Sequence, residues 1–388
     1  MAKILSVDDE VDLELLLTQH FRRKIRKGEY EFFFAHNGLE ALEMLLRHPD
    51  IDVILSDINM PEMDGLTLLT KINEMRNPAL KCIMVSAYGD MDNIRQAMNG
   101  GAFDFATKPI DLDDLEITIE KALEQIDFVK KSQREHHQLV DIQTDLSVAR
   151  EIQHAILPRS FKLKMCGAEK VDVYASMTAA KDVGGDFYDF FPIDETHFGF
   201  TIADVSGKGV PAAIFMAVSR TLIKATGMRG ISSSDCMVKV NELLAEESLD
   251  SMFVTVFYGV FDITTGQIDY TNAGHNPPYV LRRDGRVEAL TSDHNLALGV
   301  MDGISLSSNA LTLNEGDSLV MFTDGVTEAE NERLEQFGEK RLENELLQLK
   351  GKNSQTVVDV INQRVKEFAG EHEQNDDITI LVVGYENQ

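Results

Sequence analysis

The sequence predicts two folds in one chain. The first is an α/β domain with a five-stranded parallel sheet; after a long helical linker comes an α+β layered domain of two stacked antiparallel sheets flanked by helices. Three observations carry this. Up to about residue 122, five short apolar runs alternate with amphipathic stretches, as in a parallel sheet covered on both faces. No glycine occurs from residue 111 to 157, and Pro158 closes that stretch. Beyond residue 159, β-branched and aromatic runs crowd together, which implies antiparallel strands.

In chain order, KILSVD (3–8) reads as a short buried strand and EFFFAH (31–36) as a second, with Asn37-Gly38 opening the next turn. IDVILSD (51–57), KCIMVSA (81–87) and FDFATKP (103–109) supply three more. Asp8, Asp57, Ser86 and Lys108 then fall at strand C-termini, where open α/β sheets bind ligands. This sets a first domain at 1–122, a linker at 123–158 and a second domain at 159–388. In the linker, Phe128, Ser132, Glu135, Leu139, Ile142, Leu146, Ala149, Gln153 and Ile156 keep 4-3 spacing, poor at first and mostly apolar later. That stripe serves either a helix paired with a copy of itself or one lying against the next domain. In the last domain, VDVYASMTAA, HFGFTIADVS, SMFVTVFYGVFD, QIDYTNAG, PPYVLRRD, DSLVMFTD and DITILVVGY read as strands, and DITTGQ (262–267) as a hairpin turn. Helices are expected at 210–226, at 234–246 and after residue 328.

The chain has 388 residues, 43% of them hydrophobic, and its formal net charge of -28 argues against nonspecific binding to nucleic acid or acidic lipid. Three scattered cysteines, Cys82, Cys166 and Cys236, form neither a disulfide framework nor a zinc knot, and Cys82 reads as a buried small hydrophobe. MAKILSVDDE is no signal peptide and no apolar run reaches membrane-spanning length, so a cytoplasmic protein is expected.

Two constellations carry chemistry. Near the N-terminus, Asp8, Asp9 and Asp57 make a hard-cation site for Mg²⁺ beside the ammonium of Lys108. Asp57 is placed to accept a phosphoryl group, and Ser86 to donate a hydrogen bond to it. In the C-terminal half stand Asp186 in GGDFYD, Asp204 in ADVSGKG, Asp324 in FTDGVTEA and Asp376 in NDDITI. Each is read at the end of, or just after, an apolar strand-like run, with Asp376 also preceding the final strand. Two divalent cations held there could generate a hydroxide and clamp a phosphoryl group. Gly184 and Gly185 would let backbone approach metal-bound water or phosphate. His275 in NAGHNPP serves either as an acid or as a turn residue.

VDDE (7–10), LSDINMPEMDG (55–65), VSAYG (85–89) and TKP (107–109) closely resemble the signature segments of bacterial response-regulator receiver domains. The resemblance implies an acidic pocket of Asp8 and Asp9, phosphorylation of Asp57, a switch hydroxyl at Ser86, an essential Lys108, a metal-binding carbonyl at Asn59 and a switch aromatic at Phe105. REIQHAILP (150–158), KDVGGDFYDF (181–190), ADVSGKGVPAA (203–213), NAGHNPP (272–278), LALG (296–299), FTDGVTEA (322–329) and NDDITILVV (375–383) resemble the metal-dependent serine/threonine phosphatases of the PPM class, in their bacterial sporulation and stress branch. That resemblance implies Asp186, Asp204, Asp324 and Asp376 as ligands of two Mn²⁺ or Mg²⁺ ions, with the Val205 carbonyl adding one. Asp377 stays outside the ligand set. Lys181 stands where the family commonly has Arg, so a bidentate phosphate contact becomes a point-charge one.

Together the resemblances imply a two-component regulator that dephosphorylates phosphoserine or phosphothreonine on a partner, typically an anti-sigma-factor antagonist, under control of Asp57. An upstream histidine kinase and a homodimer through receiver and linker are implied as well. The competing expectation is a phosphorylation-dependent adaptor that sequesters a regulator without turnover. A DNA-binding effector is poorly matched, because the C-terminal half lacks a compact basic helix-turn-helix pattern.

Overall fold

The computed structural model describes residues 1–87, 90–158, 171–247, 252–291 and 295–386. Tyr88 and Gly89 of the VSAYG segment, Cys166 and the first residues of the expected second domain (159–170) lie outside the described residues. Contacts divide the chain into two compact units, Met1–Ile142 and Gln143–Gln388.

The first unit runs β1 (Ala2–Val7), α1 (Val11–His20), α2 (Arg22–Arg26), β2 (Tyr30–Ala35), α3 (Gly38–Arg47), β3 (Val53–Asp57), α4 (Gly65–Glu74), β4 (Lys81–Ala87), α5 (Met91–Asn99) and β5 (Asp104–Lys108). Its strands lie parallel in the order β2-β1-β3-β4-β5. The fold class expected for this half is the one found. Central β3 is buried along its whole length, as its unbroken VIL run requires. Leu5, Ile54 and Met84 pack on one face of the sheet, and Ile4, Leu55 and Ile83 on the other. Caps fix the helices that follow the ligand edge. Asn37 accepts from Glu40 N at 2.9 Å while Glu40 accepts from His36 N at 2.8 Å, and Asp64 accepts from Thr67 N at 2.7 Å.

A single helix, α6 (Leu112–Ile156), supplies its first turns to this unit and its last to the second. Leu115, Ile119, Ala122 and Ile126 bury one face on the sheet, and Lys130 ends that contact with an ion pair to Asp52 at 2.6 Å. Phe128, Leu139, Ile142, Val148 and Ile152 stay exposed.

The second unit continues β6 (Val171–Thr178), β7 (Phe187–Pro192), β8 (His197–Val205), α7 (Val210–Gly227), α8 (Ser233–Glu247), β9 (Val254–Asp262), β10 (Gln267–Ala273), β11 (Tyr279–Leu281), β12 (Val287–Ala289), β13 (Asn309–Thr312), β14 (Ser318–Phe322), α9 (Asp324–Thr327), α10 (Gly338–Gln348), α11 (Ser354–Ala369) and β15 (Ile378–Tyr385). Two antiparallel sheets result, β13-β10-β9-β8-β7 and β12-β11-β14-β15-β6. Their facing sides share a core of residues such as Phe200, Phe257, Met321 and Leu381. Ile223 of α7 and Val240 of α8 extend that core outward, while Leu342, Val357 and Ile361 from α10 and α11 cover the other sheet. The turn at 262–267 joins β9 to β10 as a hairpin, pairing Asp262 with Gln267.

Cys82 and Cys236 are both buried, and burial pushes the Cys82 thiol up to about 12. Among the described residues, no helix is long and apolar enough to cross a membrane.

Candidate metal centres

At the C-terminal edge of the parallel sheet, carboxylate oxygens of Asp8, Asp9 and Asp57 lie within 4.8 Å of one another, with Asp8 and Asp57 buried and Asp9 exposed. Lys108, at the end of β5, reaches Asp57 at 2.7 Å, Asp8 at 3.0 Å and Glu10 at 3.2 Å. Burial opposes the charge of Lys108, but Asp57 and Asp8 outweigh it and hold the ammonium above its ordinary range. The Asp8 carboxyl is raised by burial, against the pull of the Glu10 N–H and of Lys108. Three carboxylates beside one ammonium leave an uncompensated hard-oxygen donor set, which fits a divalent cation such as Mg²⁺. Asn59 lies next in the loop and donates its N–H to Asp57 Oδ1 at 3.3 Å. The Ser86 hydroxyl is buried with no hydrogen-bond partner among the described residues, one residue beyond Val85, the β4 partner of Asp57. Phe105 is partly exposed on the edge strand β5.

In the second unit the expectation that each acid ends or follows a strand needs correction. Asp186 directly precedes β7 and Asp376 lies ahead of β15, whereas Asp204 sits within the last turnings of β8 and Asp324 opens α9 after β14. Antiparallel pairing nevertheless brings them to common edges. The start of β7 pairs beside the end of β8 through Phe187 and Ala203, and the start of β15 lies beside the end of β14 through Ile380 and Phe322.

Asp186 is 1% exposed, and its Oδ2 accepts a hydrogen bond from the Thr323 hydroxyl at 2.7 Å. Burial, then the charges of Asp204 and Asp377, push its carboxyl well above the usual range. Burial and the nearby Asp324 and Asp376 lift Asp204 to about 7, against a hydrogen bond with Asp186. Asp324 is raised by burial and by Asp376 and Glu328, and its Oδ1 is buried without a hydrogen-bond partner. Among the described residues no three of these four carboxylates meet within 4.8 Å, so they form a spread set and not a one-ion cage. Hard donors distributed in this way fit a pair of Mg²⁺ or Mn²⁺ ions.

Neighbouring residues explain the local sequence. Asp377 accepts from the N–H groups of Ala180 at 2.8 Å, Gly185 at 2.7 Å and Asp186 at 3.3 Å. A Cβ on Gly184 would lie 2.2 Å from Asp377 Oδ2, so that glycine makes room for this brace, not for water or phosphate. A Cβ on Gly325 would lie 2.0 Å from the Asp377 carbonyl oxygen. The Val205 carbonyl faces the Gly185 turn. Lys208 pairs with Asp376 at 2.9 Å and also donates to the Asn375 carbonyl, so the GKG lysine is engaged by protein oxygens.

Gln153, on the last turns of α6, donates to the Gly184 carbonyl at 2.6 Å and accepts from its N–H at 3.1 Å. Sequence reasoning placed Gln153 in the helix stripe and gave Thr323 no role. A polar residue at an otherwise apolar stripe position was the only signal for the first; nothing marked the second. Lys181 is exposed and has no partner among the described residues. His275 is a buried turn residue: burial lowers it to about 4, its ring meets Thr255 Oγ1 at 2.9 Å, and Asn272 brackets its backbone. A further group, His20, Asp113 and Glu116, reads as an ion-pair network, with His20 beside both carboxylates and Glu116 also paired with Lys24.

A receiver-domain model matches residues 4–120, and the stage II sporulation protein E (SpoIIE) model matches residues 194–386. The chain joins a receiver-like domain to a SpoIIE-family, PPM-type phosphatase domain. The SiaA-PP2C domain of Pseudomonas aeruginosa shares the fold, with a TM-score of 0.56 at 21% identity over 65% of this chain and 99% of that one. Phosphoserine phosphatase RsbU of Bacillus subtilis is 31% identical over 200 residues, 51% of this chain and 59% of RsbU. Protein IcfG of Synechocystis is 30% identical over 266 residues, 62% of this chain and 41% of IcfG. The receiver–SpoIIE chain thus spans about half the length of these curated relatives.

Proposed function

We propose that this protein is a response regulator whose output is metal-dependent dephosphorylation of phosphoserine or phosphothreonine on a partner protein. The observation that carries the reading is the convergence of Asp186, Asp204, Asp324 and Asp376, where burial and then the charges of Asp324 and Asp376 lift Asp204 to about 7. Such a set is costly without cations to balance it. Two Mn²⁺ or Mg²⁺ ions held by these acids and the Val205 carbonyl would supply a hydroxide for in-line attack and a clamp on the phosphoryl oxygens. The chain's residues keep the ligands in place: Asp377 ties Ala180 to Gly185 and Asp186 through three N–H groups, and Thr323 orients Asp186. Lys181, exposed in the same loop, approaches the substrate phosphate as a point charge.

At the other site Asp57 takes a phosphoryl group from a sensor histidine kinase, Asp8, Asp9 and the Asn59 carbonyl hold Mg²⁺, and Lys108 offsets the oxygens' charge. Ser86 and Phe105 then read out the phosphorylated state. The route between the sites is α6, which starts in the receiver and ends with Gln153 on Gly184. Repacking of a dimer formed through receiver and linker would shift Gln153 and with it the turn that carries Asp186. The partner in this reading is a small phosphoprotein of the anti-sigma-factor antagonist class; the likeness to RsbU, named a phosphoserine phosphatase, supports phosphoserine as the group removed.

The test is Mn²⁺-dependent phosphate release from a phosphoserine-bearing partner protein, with and without a small-molecule phosphodonor for Asp57. Turnover that vanishes in Asp204→Asn and changes with the phosphodonor is expected. Folded, metal-loaded protein with no turnover on any partner would overturn the catalytic reading. Equal rates with and without Asp57 phosphorylation would overturn the gating.

A further inference from the structure

Beside the four aspartates the second unit opens a cleft of about 630 Å³, within the size range of ligand sites. One wall is the segment after α9, carrying Glu328 and Glu330; the other is the end of α11 and the turn beyond it, carrying Lys366 and Glu373. Lys208, Gly325 and Asp376 line the cleft and also belong to the aspartate site, so the two are continuous. The walls are tied together. Asn375 donates to Glu330 at 3.1 Å, His372 stands 3.8 Å from the same carboxylate, and Gln374 donates to the Thr178 carbonyl at 2.9 Å.

We propose that this cleft receives the substrate segment next to the phosphorylated residue and selects basic side chains there; the proposal rests on the phosphatase reading above. Continuity is the first argument. A peptide with its phosphate at the aspartates must lay neighbouring residues on an adjoining surface, and this preformed cleft adjoins. Charge is the second. Asp376 already neutralises Lys208 at 2.9 Å, which leaves Glu328, Glu330 and Glu373 facing Lys366 and His372. The Glu328 side chain has no partner among the described residues, and it lies near enough to help raise Asp324. The lining is the third. Val365, Ala369 and Ile378 give an apolar surface between the acids, suited to the methylene stem of Lys or Arg with its charged end at a carboxylate. An acidic segment would instead meet three glutamates against, among the described residues, the single free ammonium of Lys366.

The experiment compares phosphopeptides of one sequence, with the residues flanking phosphoserine changed to Arg, Ala or Glu, on the full chain with Mn²⁺. An aryl phosphate, which has no flanks, runs alongside. The expected kcat/KM for the Arg peptide exceeds that for the Glu peptide by about tenfold or more. In Glu330→Gln/Glu373→Gln that ratio falls to within about threefold, through KM more than kcat. Because the whole chain is acidic, Glu43→Gln/Glu74→Gln in the first unit serves as the charge-matched control, and it should keep the ratio. Equal loss of the ratio in both double variants, or aryl-phosphate turnover with no flank preference, overturns the cleft and leaves the phosphatase reading standing. No hydrolysis of the aryl phosphate or of any peptide overturns that reading, and the cleft assignment with it.

Discussion

Replacing Arg220 by Met tests how α7 is seated on the strand that follows Asp186. Asp189, on β7, is fully buried and faces Arg220 at 2.8 Å and Lys224 at 3.5 Å, both from α7. The Arg220 side chain is 12% exposed and Lys224 35%. Burial raises the Asp189 carboxyl even against these two cations, so the pair is already strained. Removing one partner of a buried pair costs about 3–5 kcal/mol. Lys224 and the Phe190 N–H at 2.8 Å remain, which puts Arg220→Met near the lower end, about 3 kcal/mol. Asp189→Asn removes the buried charge itself and leaves Arg220 able to turn toward water, so about 1–2 kcal/mol is expected. The double variant should cost less than Arg220→Met alone, since no carboxylate is stranded. Because the chain has two units, a local readout suits better than global unfolding. Hydrogen exchange of the β7 and α7 amides in Arg220→Met should accelerate by about 150-fold at 3 kcal/mol. The sign with pH follows: the folded carboxyl binds its proton more tightly than the unfolded one, so the deficit grows as pH rises and shrinks as it falls. Exchange within about threefold of the parent, or Asp189→Asn exceeding Arg220→Met, would refute the reasoning.

Three other outcomes are expected. Gln153→Ala leaves the Gly184 carbonyl and N–H without their bonds, at about 1–3 kcal/mol each. It should raise the Mn²⁺ concentration for half-maximal thermal stabilisation about tenfold; an unchanged value would separate α6 from the metal site. Gly184→Ala must push a methyl into Asp377, 2.2 Å away, and should lower the second unit's melting transition by an amount matching about 2 kcal/mol or more. Asp204, lifted to about 7, holds its proton in the metal-free fold and loses it in the unfolded chain. The stability this contributes is present near pH 4, falls as pH rises to 7, and is absent above. Mn²⁺ must displace that proton, so its stabilising shift in a melting scan should be clearly larger at pH 8 than at pH 5.5; equal shifts would argue against carboxylate ligation.

The parallel sheet was legible because its strands are continuous apolar runs at regular spacing, and VILSD buries every residue it promised. The same signal fails for β12 and β13, of three and four residues, which are too short to show alternation. It also fails for β7, where FYDFFP has a charged residue in mid-strand. Asp189 is tolerated there only because α7, more than twenty residues later, brings Arg220 and Lys224 to it. The first domain was read to residue 122 with a helical linker after it, and the helix runs unbroken from Leu112 to Ile156. Asp377 was read as lying outside the ligand set, and its work as a brace depends on Gly185 and Asp186, nearly two hundred residues away. Ligand types show in a sequence because their chemistry is rare at strand ends. Braces do not, because an ordinary Asp, Thr or Gln becomes one only through a distant neighbour.

The two acidic sites differ in how their charge is balanced, and the difference bears on which one a cation can organise. In the receiver, Lys108 reaches Asp8, Asp57 and Glu10 within 3.2 Å, so a fixed ammonium sits inside the carboxylate cluster. In the phosphatase domain, Lys208 touches Asp376 at one end, while Asp186, Asp204 and Asp324 are raised by burial and by one another. That ammonium offsets part of the receiver cluster's negative charge at a fixed position. The second site instead relies on Thr323, Asp377 and Gln153 to hold backbone and carboxylates against their own repulsion. Small displacements of those braces therefore act directly on the distances that cations must span. Of the three, only Gln153 belongs to the helix that begins in the receiver, so under the proposed gating it is the brace whose displacement the Gln153→Ala titration reads.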